Sequence, residues 1–341
     1  MRGMNCGGAS GRCARWRGPG SNSRARARVQ GRRRLVAAIA VIVVGALVVR
    51  VAIAGGSGGA HALTVPGRSI SARVARVRPA PHLVVSAPAV VLAAWTTFAR
   101  VHGHPAAWIA QRGGATLMRF DQSLVHLNLH TGLNDGGAVG WTYGDQITPR
   151  EIHLVLAGFN GGFKLSYSNV GLTANGKVAV PLKTGLASIV TYTDDTTNIA
   201  TWGNGVPNPG KRVFSVLQNQ QLLVDRGMVA SNVNTCVLNC WGGTIQNLTV
   251  VARSALGITA SGQLVWAAGE QFSPAALGGA LVAAGSVRAI ELDINPAWVA
   301  GYIYVHHPSG PTATPVVPGQ RGILGQLLTP DTRDFFTIVA S

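Results

Sequence analysis

Residues 1–34 carry ten arginines and no acidic residue, and they run straight into an apolar stretch from Leu35 to Ala54. That junction divides the chain before any fold is considered. Fifteen apolar residues lie between Leu35 and Val49, and Arg50 interrupts before Val51–Ala54. With Arg50 snorkelling, the stretch reaches the short end of the roughly 17–25 residues that span a bilayer. Arginines before it and none of that density after it predict a cytoplasmic N-terminus and an extracytoplasmic remainder. A signal anchor fits, and so does a cleaved signal peptide, since Ala52-Ile-Ala54 has the small residues of a cleavage site. The sequence divides into a basic cytoplasmic tail (1–34), a transmembrane or signal segment (35–54), a Gly- and Pro-rich linker (55–90) and a domain (91–341).

The same junction disposes of the charge. The chain carries 29 basic and 12 acidic residues, a formal +17. Eleven of the basic residues precede residue 55, leaving 18 against all 12 acids in the remainder. A net +6 over that length, with no RNP-type aromatic motif and no zinc-finger spacing, gives nucleic acid no support as a partner. The membrane, through the N-terminal helix, is the partner this charge pattern favours.

Cys236 and Cys240 lie in the exported part and could close a small disulfide loop. Further metal ligands are not evident around them, and no cofactor motif is recognised. Gly205-Val-Pro-Asn-Pro-Gly-Lys-Arg212 has P-loop spacing but lacks the Ser or Thr for magnesium, and its prolines remove N–H donors.

The domain reads as α+β and sheet-rich, a single globular unit. Val125-His-Leu-Asn-Leu-His130 alternates strictly and ends at a Thr-Gly turn, so it predicts a half-buried strand. Further strands are expected at 153–158, 186–193, 212–217, 221–225, 247–253 and 263–267. One helix has every local signal: Ser273 to cap it, Pro274 to open it, Ala275–Ala284 as its body and Gly285 to stop it.

That helix leads into Arg288-Ala-Ile-Glu-Leu-Asp-Ile-Asn-Pro-Ala-Trp298. As a strand it sends Ile290, Leu292 and Ile294 to one face and Glu291, Asp293 and Asn295 to the other, with Pro296 ending it. Two carboxylates on one face of a strand end, in a chain poor in acids, are the candidate catalytic groups. Arg253 sits amid small apolar residues, where an unpaired guanidinium is costly. It needs an anion, which is either a bound phosphate or the carboxylate of Glu291 or Asp293. Asn160-Gly161-Gly162 offers an amide and two unhindered backbone N–H groups to a ligand.

Phe159-Asn-Gly-Gly-Phe163, Gln218 to Gly227, Arg253-Ser-Ala-Leu-Gly257 and the late acidic strand occur in the order seen in phosphodiester glycosidases, which the chain resembles over residues 92–310. Family members cleave the bond between a sugar's anomeric carbon and a phosphodiester. The resemblance implies a sugar-phosphodiester or glycan partner, with Asp293 as the matching carboxylate. In better-known members the strand end is richer in glycine; here it is Glu291-Leu-Asp-Ile-Asn-Pro296. A phosphate leaving group needs less protonation than an alcohol, so a cation can assist its departure.

Overall fold

The computed structural model describes residues 94–137, 140–322 and 324–341. The expected tail, the apolar segment 35–54 and the linker lie outside the described residues. Among the described residues, no helix is long and apolar enough to cross a membrane.

The chain opens with β1 (Thr96–Val101), β2 (His104–Arg112), β3 (Ala115–Phe120), β4 (Val125–His130) and β5 (Val155–Asn160). The short helix α1 (Leu165–Ser168) follows, then β6 (Leu172–Ala174), β7 (Lys177–Val180), β8 (Ala187–Tyr192) and β9 (Thr197–Trp202). Next come β10 (Gly205–Val206), β11 (Val213–Asn219), β12 (Leu222–Asp225), β13 (Met228–Val229) and the helical turn α2 (Val237–Cys240). β14 (Val251–Thr259) and β15 (Leu264–Phe272) lead to α3 (Pro274–Ala283), and β16 (Ser286–Glu291) leaves it. β17 (Gly301–His307), β18 (Gly310–Pro315) and β19 (Phe335–Ala340) complete the domain.

Three sheets result. Their strand orders are β1-β2-β3-β15-β14-β16-β12-β13, β10-β9-β8-β11-β6-β7 and β18-β17-β5-β19-β4. Every pairing is antiparallel except the short β9–β10 contact. One core joins all three, through Leu256 and Ile290 of the first, Ile189 and Leu217 of the second, and Ala157 and Ile338 of the third. Phe159 holds its centre, 5.4 Å from Trp266, 5.8 Å from Phe336 and 6.4 Å from Phe120 between ring centroids. Gly301 makes room for Trp266, since a Cβ there would stand 2.4 Å from the indole.

α3 covers the opposite face of the eight-stranded sheet, packing Leu277 and Leu281 with Leu223, Val265 and Ala289. That sheet is therefore buried on both faces, which is why Leu264-Val-Trp-Ala-Ala268 reads as an unbroken apolar run. The helix forms as its local signals predict: Ser273 Oγ accepts from Ala276 N at 3.2 Å, and Gly285 sits at φ +93°. Its last carbonyls are capped from the sheet, where Arg112 bonds Ala283 O and Arg119 bonds Ala284 O.

Three strands end more than two residues from where the sequence places them; β15, expected over 263–267, continues to Phe272. β14 runs on to Thr259 instead of ending at Arg253, because residues beyond Arg253 pair on both edges, with β15 and with β16. The acidic strand is the reverse case. β16 ends at Glu291, and a last pair of bonds with Ser254 carries the ladder only to Asp293. Asp293 Oδ1 then accepts from Ile294 N (2.7 Å) and Asn295 N (2.9 Å), turning the backbone away before Pro296 is reached.

Candidate functional site

Asp293 stands where this turn meets two other segments, the end of β4 and the approach to β19. Its Oδ2 accepts from Arg333 Nη2 at 3.0 Å. Arg333 also donates from Nε to Asp135 and from Nη2 to Gly162 O at 2.8 Å. Asp331 fixes the backbone here by accepting from Arg333 N at 2.9 Å. Asp135 in turn receives Leu165 N, which ties α1 to the cluster. Arg333 Nη1 has no hydrogen-bond partner among the described residues, and the guanidinium lies 5.2 Å from the Trp298 ring. Burial opposes its charge, but Asp293, Asp334 and Asp135 hold it protonated above the ordinary arginine value.

A cleft of about 450 Å³ opens at this cluster. Asp293, Asn295, Trp298 and Arg333 line it from one side of the sequence, Phe163, Lys164 and Tyr167 from the segment around α1, and Leu238 and Asn239 from α2. The volume falls within the roughly 300–1,000 Å³ usual for small-molecule sites. The α2 wall is closed by the Cys236–Cys240 disulfide. Gly242, at φ +91°, then lets the chain press onto the floor: a Cβ there would meet Ile294 at 2.5 Å and Phe163 at 2.8 Å.

Of the residues singled out from sequence, Asp293 and Asn295 line this cleft, while Glu291, Arg253, Asn160, Gly161 and Gly162 are buried and do not line it. Arg253 is wholly buried. It donates to Glu291 at 2.6 Å, Phe272 O at 2.9 Å, Trp241 O at 3.0 Å and Thr249 O at 3.3 Å. Of the two anions considered for it, the structure supplies the carboxylate of Glu291. The two carboxylates of the acidic strand are thus divided between two cations, Glu291 with Arg253 and Asp293 with Arg333. Asn160 is spent on Gly161 O, Ser254 Oγ and Ala300 N. The amides of Gly161 and Gly162 donate to Asp334, so neither is open to a ligand. Gly161 is needed for that approach, since a Cβ there would fall 1.9 Å from Asp334 Oδ2.

Arg333, Asp135, Asp334, Trp298 and Lys164 were not singled out from sequence. One signal was present: Asp331-Thr-Arg-Asp334 puts three charged residues into four, just before an apolar strand, in a chain with only 12 acids.

Burial pushes Asp293 above the ordinary aspartate range, against the pull of Arg333 and of the two backbone N–H bonds. Burial likewise pushes Glu291 up to about 7, against Arg253. Asp334 rises to about 7, by burial first, with Arg333 pulling down and Asp135 and Asp293 pushing up. Its Oδ1 is buried with no hydrogen-bond partner among the described residues. An acid raised in the folded state stabilises the fold fully below the unfolded value near pH 4, and that contribution is lost as pH rises through about 7. The expected slope from this one group is about 1.4 kcal/mol per pH unit across that window. Asp334→Asn keeps an acceptor for Gly162 and should flatten the decline. Denaturant titrations from pH 4 to 8 on both proteins check this, and parallel curves would reject it.

No protein-family model matches the chain, and no curated protein does. Among solved structures it is similar to the catalytic domain of zebrafish N-acetylglucosamine-1-phosphodiester alpha-N-acetylglucosaminidase, auto-inhibited by its pro-peptide. That likeness is 12% identical, covers 69% of this chain and 78% of that chain, and has a TM-score of 0.43. A hypothetical protein from Synechocystis is 13% identical over 70% of this chain and 63% of that one, with a TM-score of 0.39. Both likenesses are distant, and no residue role rests on them.

Proposed function

We propose that the cleft hydrolyses a sugar-1-phosphodiester, releasing the free sugar and a phosphomonoester. The observation that carries this reading is a buried, arginine-held carboxylate, Asp293, opening into a cleft lined by aromatic rings, amides and an exposed ammonium group, that of Lys164. Aromatic faces and amide side chains suit a sugar ring and its hydroxyls, and Lys164 with Nη1 of Arg333, unpartnered among the described residues, suits the diester charge.

The chemistry needs no second carboxylate. Among the described residues lining the cleft, Asp293 alone carries one. Glycosidases with alcohol leaving groups pair an acid with a base. Here the bond from the anomeric carbon to the phosphate oxygen breaks with its electron pair on phosphate, which departs stably without a proton. Asp293 takes the proton of the attacking water and faces the positive charge that develops at the anomeric carbon. A value raised by burial makes it a stronger base near neutral pH than an exposed aspartate. The order of four sequence motifs supports the same assignment.

On this reading the substrate belongs to an envelope polymer or exopolysaccharide, and the domain acts outside the membrane that residues 35–54 enter. The Cys236–Cys240 bridge supports an oxidising compartment. The test is the full-length protein incubated with a hexose-1-phosphate methyl diester, reading reducing sugar and methyl phosphate together. Release of both in equal amounts supports the hydrolase. Binding without release would replace it with a membrane-anchored module that holds an anionic glycan.

A further inference from the structure

We infer that the pocket shared by Arg288 and Arg226 is a second, non-catalytic site, and that it binds a sugar phosphate. Arg288 lies on the face of β16 that carries Ile290 into the joint core, and it is partly buried there. The other wholly or partly buried arginines described all reach a carboxylate or a backbone carbonyl. Arg253 and Arg333 hold carboxylates, and Arg112 and Arg119 hold the last carbonyls beside α3. Arg288 has neither. Its Nη2 donates to the amide oxygen of Asn198 at 2.9 Å, while its Nε is buried without a partner and its Nη1 makes no hydrogen bond among the described residues. A guanidinium held in such a place calls for an anion, and the described residues put none within ion-pair reach.

Arg288 lines a pocket of about 310 Å³. That pocket shares no lining residue with the Asp293 cleft, so the site stands whether or not the cleft hydrolyses a diester. Thr201 and Asn204 line it from β9 and the turn that follows, and Asp225 and Arg226 from the hairpin between β12 and β13. The hairpin tip is pinned to β16 by Gly227 N, which donates to Val287 O at 2.9 Å. Arg226 sits in that tip at φ +50°, a left-handed conformation uncommon for arginine. The side chains of Thr201, Asn204, Asp225 and Arg226 make no hydrogen bond or ion pair among the described residues. Two guanidinium groups on one small pocket suit a phosphate, which takes the planar fork of arginine bidentately. Asp225, Asn204 and Thr201 suit hydroxyl groups. Asp225 also sets a condition, since its charge opposes a bare anion that brings it no hydroxyl. Phosphate and hydroxyls on one molecule describe a sugar phosphate, and the volume lies at the small end of the range for ligand pockets.

The test is calorimetric titration of the full-length protein with a hexose-6-phosphate, the hexose alone, inorganic phosphate and a hexose-1-phosphate methyl diester. Wild type is compared with Arg288→Met, Arg226→Ala and Lys164→Ala. Hexose-6-phosphate should bind wild type, and more tightly than inorganic phosphate or the hexose alone. Arg288→Met should weaken it about tenfold, the equivalent of one charge-assisted hydrogen bond. Arg226→Ala should weaken it several-fold, and Lys164→Ala, in the other cleft, should leave it unchanged. Arg288→Met keeps the aliphatic stem, and Asn198 Oδ1 keeps its bond from Ile199 N, so the variant should melt no lower than wild type. The sugar phosphate should raise the melting temperature of wild type but not of this variant. If Arg288→Met fails to fold, Arg226→Ala, at an exposed turn, decides alone. Diester binding that the arginine variants also weaken would assign the pocket to a phosphate within a chain, and binding confined to the monoester would assign it to a free sugar phosphate. Either result supports the site. A loss confined to Lys164→Ala would move the ligand to the Asp293 cleft and overturn it. So would hexose-6-phosphate that does not bind, or that binds both arginine variants as it binds wild type.

Discussion

Asp293→Asn is expected to reduce turnover of a sugar-1-phosphodiester by about 10²–10⁴-fold while the protein remains folded. The amide oxygen can keep both backbone bonds, from Ile294 and Asn295, so the turn that ends the acidic strand survives. What is lost is the negative charge and the ability to take a proton. The amide nitrogen would face Arg333 Nη2, donor against donor, but Asp135 still holds that guanidinium. Because burial already raises Asp293, the fold gains little from its ionisation, and the melting temperature should move only slightly. KM should change far less than kcat, since the carboxylate acts on charge that develops in the transition state. Steady-state kinetics beside a thermal melt decide the matter. A folded variant with undiminished turnover would remove Asp293 from the mechanism.

Arg253→Ala should fail in the opposite way. It strips the cation bonded to Glu291 and removes the donor from the carbonyls of Phe272, Trp241 and Thr249. Breaking one side of a buried pair costs about 3–5 kcal/mol, because the partner charge stays behind unpaired. Glu291, already raised to about 7 by burial, would lose the pull that keeps it from rising further. The Arg253→Met, Glu291→Gln double variant removes both charges and should recover part of that loss. Urea titrations at a pH above 7 provide the comparison. A single variant of wild-type stability that has lost affinity for phosphodiester would mean that Arg253 binds ligand after all.

The contrast between these two residues shows what the sequence conveyed. The cap, proline and glycine around α3 act within a few residues and were reliable. The alternation at 125–130 marks a strand, but not a half-buried one, since Asn128 and His130 on its polar row are buried as well and bond to Glu151. The acidic strand was legible as a strand and as the bearer of Asp293. Its end was not, because an aspartate side chain can supply the bonds that a neighbouring strand would otherwise make. Arg253 was read correctly as needing an anion, but composition alone offers no way to choose between a ligand and Glu291. Arg333, Asp135 and Asp334 lie 40, 158 and 41 residues from Asp293 in the sequence. Each sits in a polar stretch that looks like an ordinary turn. Only the meeting of β4, β5 and β19 in one sheet brings them to the end of a strand in another. Strands such as β2 and β17 are hard to read because their apolar cores are short runs whose period does not separate strand from helix.

The covalent loop between Cys236 and Cys240 gives the cleft a property that its other walls lack. Leu238 and Asn239 stand on a single helical turn of four residues, far too short to hold its shape by its own hydrogen bonds. Where thiols stay reduced, that wall is held by Gly242 seated against Phe163 and Ile294, by Trp241 buried behind it and by the bond from Arg253 to Trp241 O. The rest of the cleft is set by strands and by ion pairs that no reductant touches. The bridge therefore acts on the contour that a ligand meets, while the strand ladders and ion pairs behind it contain no sulfur.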